Sequence, residues 1–395
     1  MSSFKLPEFH PPDFSEPPMK DAPVVQFKEV EKAGVAPEGY HATSIYPEYF
    51  QVKKGEWVLA ADSRMDCVAV LDAGGTIEVR EFRLLKPGDR VARGRHENGE
   101  DGIFVHVDAF GWAEESPLFP EGGQVSPGNV SSPPPPAKGG KGDFCEKFAF
   151  RTRVSRETSF SYDYDELYNL LEHDRQKGFL LWVLGPAVAF DKDSRDSLID
   201  IIDQGFVHGV LAGNALATHD IEAALFGTAL GQDIYSKKHV PLSHYMHLDA
   251  INRIREAGSI KAAVERGIVK GGIMASLVKR GVPFVLAGSI RDDGPLPDVI
   301  VGSSQAQDSM RALARKATTV IAMATQLHSI AAGNMTPSYR VMDDGTVRPV
   351  YFFVIDMSEF AASKLADRGS LTARSILTNT QDFVVNLRRK LIREL

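Results

Sequence analysis

"FVHGVLAGNALATHDIEAALFG", residues 206–227, begins as a strand and finishes as a helix, with a glycine and an asparagine at the change. Val207, Val210, Leu211 and Ala212 make a short apolar run that Gly213 ends, and Asn214 opens a stretch with helical spacing. The same grammar recurs on both sides. "FLLWVLG" (179–185) reads as a buried strand, and "DSRDSLIDIIDQG" (193–205) as a helix closed by Gly205. "VPFVLAG" (282–288), "TTVIAMAT" (318–325) and "RPVYFFVID" (348–356) read as strands. "SQAQDSMRALARKA" (304–317) and "SEFAASKLADRG" (358–369) read as helices. So do "SFSYDYDELYNLLEHDRQKG" (159–178), "SIKAAVERG" (259–267) and "IVKGGIMASLVKRG" (268–281). Strands apolar throughout that alternate with helices predict a parallel sheet covered on both faces, an α/β fold of Rossmann-like type over residues 150–395.

Upstream the texture differs. Residues 1–40 are rich in proline and polar groups and are expected to form an extended arm. Residues 41–115 predict a smaller β-rich domain, with "DAGGT" (72–76) as a hairpin turn and "VARGRHENGEDGIFVHV" (91–107) as strand, turn and strand. Residues 116–149 hold a Pro/Gly/Ser-rich stretch, "SPLFPEGGQVSPGNVSSPPPPAKGGKGDF", expected to be a linker or an insertion.

The totals exclude several classes. The chain has 395 residues, 43% of them hydrophobic and 25% charged, as in soluble globular proteins of two domains. A net charge of −7 with no concentrated basic run argues against nucleic acid as a partner. Two cysteines, Cys67 and Cys145, supply neither a disulfide framework nor a zinc site and fit a reducing cytoplasm. The first residues have no apolar core and no basic leader, so no secretory signal is expected. The apolar stretch 178–190 is too short to span a bilayer, so no membrane segment is expected. His244 and His247 in "SHYMH" have i, i+3 spacing but no carboxylate close by, so no metal is expected.

In open α/β sheets, ligands sit beyond the carboxyl ends of the strands. Those ends carry Gly185-Pro186, Gly213-Asn214-Ala215, Gly288-Ser289, then Thr325, His328, Gly333 and Asn334, and finally Asp356. Small residues admit a ligand to the backbone, helix starts hold phosphate oxygens, and a terminal carboxylate bonds a ribose, so a dinucleotide is expected. The loop "SIRDDGPLPD" (289–298) adds charge: Arg291 can clamp a carboxylate and Asp292 or Asp293 can meet an amine. His219 beside Asp220 is a candidate proton-transfer pair, and Asp66 is a further carboxylate in an apolar setting.

The stretches "LAGNALATHDIEAALFGTALG" (211–231), "INRIREAGSI" (251–260), "GIMASLVKRGVPFVLAGSIRDDGPLPDVI" (272–300) and "LHSIAAGNMTPS" (327–338) resemble the archaeal-type ornithine cyclodeaminases. That family shares a region with the lysine–oxoglutarate reductase/saccharopine dehydrogenase group. The chain also resembles the C-terminal half of cyanobacterial fusions of an arginine dihydrolase with such a cyclodeaminase. "GYHATSIYPEYFQVKKGEWVLAADSRMDCVAV" (39–70) is similar to the family's small β-rich domain. The dihydrolase module of the fusions is absent, so arginine is not an expected substrate.

The resemblance implies NAD as a recycled cofactor, L-ornithine or a related diamine as substrate, L-proline and ammonia as products, and a homo-oligomer. With that chemistry in view, the loops at Gly185, Gly213-Asn214, Gly288-Ser289 and Gly333-Asn334 are expected to hold the dinucleotide. Arg291 or Arg64 is expected to grip the substrate carboxylate, Asn214 also to touch the substrate, Asp292, Asp293 or Asp66 to meet an amine, and His219 to carry a proton. Two other readings stay open: a net NAD(P)-dependent amino-acid or imine oxidoreductase, and a non-catalytic NAD-binding sensor or partner subunit.

Overall fold

The computed structural model describes residues 4–111, 161–290, 292, 294–358, 360–366 and 370–392. The expected linker or insertion at 116–149 lies outside the described residues.

Seven parallel strands form the main sheet: β1 (Leu180–Leu184), β2 (Gly209–Gly213), β3 (Phe284–Ala287), β4 (Val299–Ile300), β5 (Thr319–Met323), β6 (Tyr351–Asp356) and β7 (Ala373–Leu377). Their order across the sheet is β4-β3-β2-β1-β5-β6-β7. Every residue of the central β1 and β5 is buried, which is why these strands read as unbroken apolar runs. Trp182 is fully buried, and its indole Nε1 donates to the Phe206 carbonyl at 2.9 Å.

Helices α1 (Ser161–Lys177), α2 (Lys192–Asp203), α3 (Asn214–Phe226), α4 (Met246–Ala257), α5 (Ile260–Glu265), α6 (Ile273–Arg280) and α10 (Thr380–Leu391) pack on one face around Leu180, Trp182, Leu184, Val210 and Ile321. Helices α7 (Ser303–Ala314), α8 (Gln326–Met335) and α9 (Phe360–Ala366) cover the other, around Leu181, Val183, Leu211, Val320 and Phe352. This is the Rossmann fold. The strand order reverses between β1 and β5, so their connections leave in opposite directions and open a crevice at the carboxyl edge.

The N-terminal region builds a separate antiparallel layer. Gln26–Glu29, Arg90–Arg93, Val68–Leu71 and Ile77–Arg80 form a four-stranded sheet. Glu56–Leu59, Glu48–Lys53 and Ile103–Val105 form a three-stranded one. Val25, Phe50, Ala60, Cys67, Ala69, Ala92 and Ile103 fill the space between. The "DAGGT" turn joins Val68–Leu71 to Ile77–Arg80, as its composition predicts. The expected arm at 1–40 is partly built into this layer, because Gln26–Glu29 pairs along Arg90–Arg93.

The two layers are joined by a polar seam. Arg64 donates to the Asn334 carbonyl at 3.0 Å and pairs with Glu81, and Arg311 of α7 approaches the same Glu81 carboxylate at 2.6 Å. The Tyr339 hydroxyl donates to the Ala60 carbonyl, and the Ser338 hydroxyl to that of Ile45. No helix among the described residues is long and apolar enough to cross a membrane.

Candidate active site

The carboxyl edge gathers most of the residues expected there. Gly185 follows β1, and its N–H donates to the Met323 carbonyl at 2.8 Å. A Cβ on Gly185 would stand 1.9 Å from the Ala324 carbonyl oxygen, so only glycine fits where β1 and β5 converge. Ala324 takes the left-handed conformation at φ 57°, which turns the chain out of β5 into α8. Pro186 opens the short helical turn Pro186–Ala189.

Gly213 is the N-cap of α3 and contributes no side chain, so the first amide N–H groups of this 13-residue helix have no side-chain cap. They form a positive end that suits phosphate oxygens. A Cβ on Gly213 would lie 3.1 Å from Cε1 of His328, which reaches toward it from the first turn of α8. The crevice is therefore narrow: the imidazole of one helix lies against the start of another. Burial holds the His328 imidazole below its ordinary pKa, so it is neutral near pH 7.

Asn214 joins this helix start to the charged loop. Its Oδ1 accepts from the Leu296 N–H at 3.1 Å and from the Thr218 hydroxyl at 3.3 Å. Gly288 donates to the Ile300 carbonyl, where β3 and β4 end together. Within the loop, Asp292 accepts from the Ser289 N–H at 2.8 Å and closes its own turn. Arg291 and Asp293 lie outside the described residues. Thr325 caps α8 with its backbone, its carbonyl accepting from the Ser329 hydroxyl. Ala215 is the second residue of α3.

Several expected residues lie elsewhere. Gly333 and Asn334 do not line a strand-end loop: they end α8, about 13 Å along the helix from Thr325 at 1.5 Å per residue. A Cβ on Gly333 would meet Leu365 of α9 at 2.1 Å, so this glycine serves helix packing. Arg64 is committed to Glu81 and the Asn334 carbonyl in the seam, at that same far end of α8. Asp66 is exposed on a left-handed turn at φ 62°, not within a strand. Asp356, by contrast, is where expected, at the carboxyl end of β6 beside β5, and its carboxylate accepts from the Ser358 N–H at 3.0 Å.

The expected pairing of His219 with Asp220 is replaced by another. Asp220 is fully buried, accepts from Arg195 at 2.7 Å and takes the Ile273 and Met274 N–H groups at the start of α6. His219 instead meets Glu222, with Nδ1 2.9 Å from Oε2. Sequence reasoning passed over Glu222, although i, i+3 spacing from a histidine on a helix is a readable signal.

Residues 166–387 match the family model described as arginine dihydrolase ArgZ-like, C-terminal, Rossmann fold. The ornithine cyclodeaminase of Methanocaldococcus jannaschii is 36% identical over 363 residues, covering 91% of this chain and 76% of that protein. The bifunctional arginine dihydrolase/ornithine cyclodeaminase ArgZ of Synechocystis is 31% identical, over 95% of this chain and 48% of its own length. The crystal structure of a conserved LOR/SDH protein from Methanococcus maripaludis superposes with a TM-score of 0.74 at 34% identity, covering 93% of this chain and 98% of that one. The ternary complex of AgrE with ornithine and NAD⁺ superposes with a TM-score of 0.53 at 28% identity, covering 94% of this chain and 46% of that one.

Proposed function

Because the chain belongs to the ornithine cyclodeaminase family and is an ornithine-metabolising enzyme by that membership, we propose that it converts L-ornithine to L-proline and ammonia with NAD as a recycled cofactor. One observation carries the reading: the uncapped start of α3 at Gly213, in contact range of His328. It is a cradle for a dinucleotide at the end of β2, one strand from the β1–β5 point where the strand order reverses, and the related AgrE binds NAD⁺ together with ornithine.

NAD, when bound, supplies reversible oxidation of the substrate α-carbon, so the overall reaction is redox-neutral. The chain's own residues then have separable tasks. The α3 amides orient the dinucleotide, and Gly185 and Gly288 let neighbouring backbone pack closely at the strand ends beneath it. Neutral His328 offers no competing positive charge beside Gly213. Asn214 ties Leu296 to the start of α3 beside the crevice, which helps to keep water from the substrate. Arg291 takes the substrate carboxylate and Asp293 or Asp292 an amine, assignments supported by the charge pattern of the loop. His219 moves a proton to and from the nitrogen that leaves as ammonia.

The test is incubation of the full chain with L-ornithine and catalytic NAD⁺, following proline, ammonia and NADH absorbance together. The reading expects proline and ammonia in equal amounts with no lasting NADH. Accumulating NADH would replace it with a net oxidoreductase. Bound NAD with no turnover of ornithine would favour a non-catalytic role.

A further inference from the structure

We propose that Glu222 is a positioning residue that holds His219 in the Nδ1-protonated form, leaving Nε2 to accept and return the proton of the deamination. The proposal rests on the cyclodeaminase reading and deepens it, since it names the group that prepares His219 for its task.

Glu222 is a carboxylate in an unusual place. It lies on α3, fully buried, whereas glutamate on a helix is ordinarily solvated. Among the described residues no lysine or arginine forms an ion pair with it. Burial of a carboxylate is costly unless its oxygens are matched, and here each oxygen has a partner. Oε1 accepts from the Thr228 hydroxyl at 2.9 Å, and Oε2 stands 2.9 Å from Nδ1 of His219. An ionised carboxylate only accepts hydrogen bonds, so Nδ1 carries the proton, and in the neutral ring the lone pair is on Nε2.

The ring has little freedom. Phe190 meets its edge with centroids 5.4 Å apart at 75°, and His247 of α4 lies 6.4 Å away. Phe190 ends the turn that begins at Gly185-Pro186, so the imidazole lies beside the loop leaving β1. The Glu222 to Thr228 bond continues the brace into the short strand Thr228–Ala229. In the reaction, Nε2 takes one proton from the substrate ammonium, which frees that nitrogen's lone pair. Glu222 balances the imidazolium, and the same proton returns to the departing amine so that neutral ammonia leaves.

The experiment is Glu222→Gln in the full chain, with His219→Gln as the reference for signal assignment. A glutamine keeps the shape and can still accept from Thr228, but it then turns its NH₂ toward Nδ1 and drives the proton to Nε2. The expected result is unchanged unfolding and ornithine KM, with kcat down about 10²-fold. The ¹⁵N resonances of His219 should switch from the Nδ1–H to the Nε2–H pattern. The double variant should be no slower than His219→Gln alone. Native His219 already protonated on Nε2, or a Gln variant with full kcat, would overturn the proposal. So would a variant that loses stability while the tautomer stays as it was, since Glu222 would then be only a structural brace. If the native chain makes no proline, the cyclodeaminase reading fails, yet the tautomer signals still decide what Glu222 does to His219.

Discussion

Gly185 and Ala324 meet backbone to backbone, with the position of a missing Cβ 1.9 Å from the facing carbonyl oxygen. This contact closes the floor of the crevice between β1 and β5. A methyl group there has no flexible side chain to displace, so the strand ends must separate. Gly185→Ala should cost about 1–3 kcal/mol of stability and weaken NAD⁺ binding at least tenfold. Urea unfolding and calorimetric titration with NAD⁺ check it. Native values for both would show that the floor yields more easily than its geometry implies.

Asn214 is held by a different logic. Its side chain ties Leu296 to the start of α3, and it carries no part of the hydrophobic core. Asn214→Ala should cost about 1–3 kcal/mol without abolishing folding, because the hydrogen bonds from the Leu296 N–H and the Thr218 hydroxyl are lost. Proline formation from ornithine should nonetheless fall on the order of 10²-fold, since a loop displaced by an ångström spoils alignment. Full activity in this variant would remove the loop from the site.

His328 makes stability depend on pH. Burial lowers its pKa from the ordinary 6.5, and burial does the same to His208 at the amino edge of the sheet. The unfolded chain takes up a proton at each near 6.5, while the folded chain takes it up only at lower pH. Below 6.5 the unfolded state binds more protons, so stability is complete above that value and declines as pH falls through the folded pKa. His328→Gln should flatten part of this decline below about pH 6.5. Urea midpoints measured across that window read the effect, and an unchanged slope would contradict it.

Asp174 and Arg348 form an ion pair at the amino edge, with both side chains almost fully buried. Burial alone would raise the Asp174 carboxyl. Hydrogen bonding to His173 and the charge and bonds of Arg348 outweigh it, with Thr318 adding another bond, and hold it well below the usual carboxylate range. Its contribution to stability is therefore present above the ordinary 3.8 and lost as pH falls toward the lower folded value. Arg348→Met should cost about 3–5 kcal/mol at pH 7, because the carboxylate is left buried and unpaired. Chemical denaturation measures this directly, and a loss under 1 kcal/mol would mean the site rehydrates.

The sheet was legible because its strands are buried on both faces, and such strands appear in sequence as short apolar runs closed by glycine. Gly185, Gly213 and Gly288 fell at the carboxyl edge for the same reason. Gly333 did not, because a glycine inside "SIAAGNM" looks like a turn until Leu365 of α9, over thirty residues away, is seen to need its space. His219 was legible as a functional candidate, but its partner was not. The adjacent Asp220 points to Arg195 and α6, while the helix carries Glu222 round to the histidine. Arg64 had the right chemistry for a carboxylate clamp, and only the tertiary structure shows Glu81 taking it.

The seam between the layers sets a problem of timing for the growing chain. Arg64 finds the Asn334 carbonyl 270 residues further on, and Ala60 waits as long for Tyr339. At ribosomal speeds the gap is on the order of 10–50 s. Throughout that interval the β-rich layer is already out of the exit tunnel, with Glu81 and its arginine facing water where α7 will later lie. The nascent protein thus carries a half-finished, charged docking face throughout that interval, until α7 and the residues beyond it arrive.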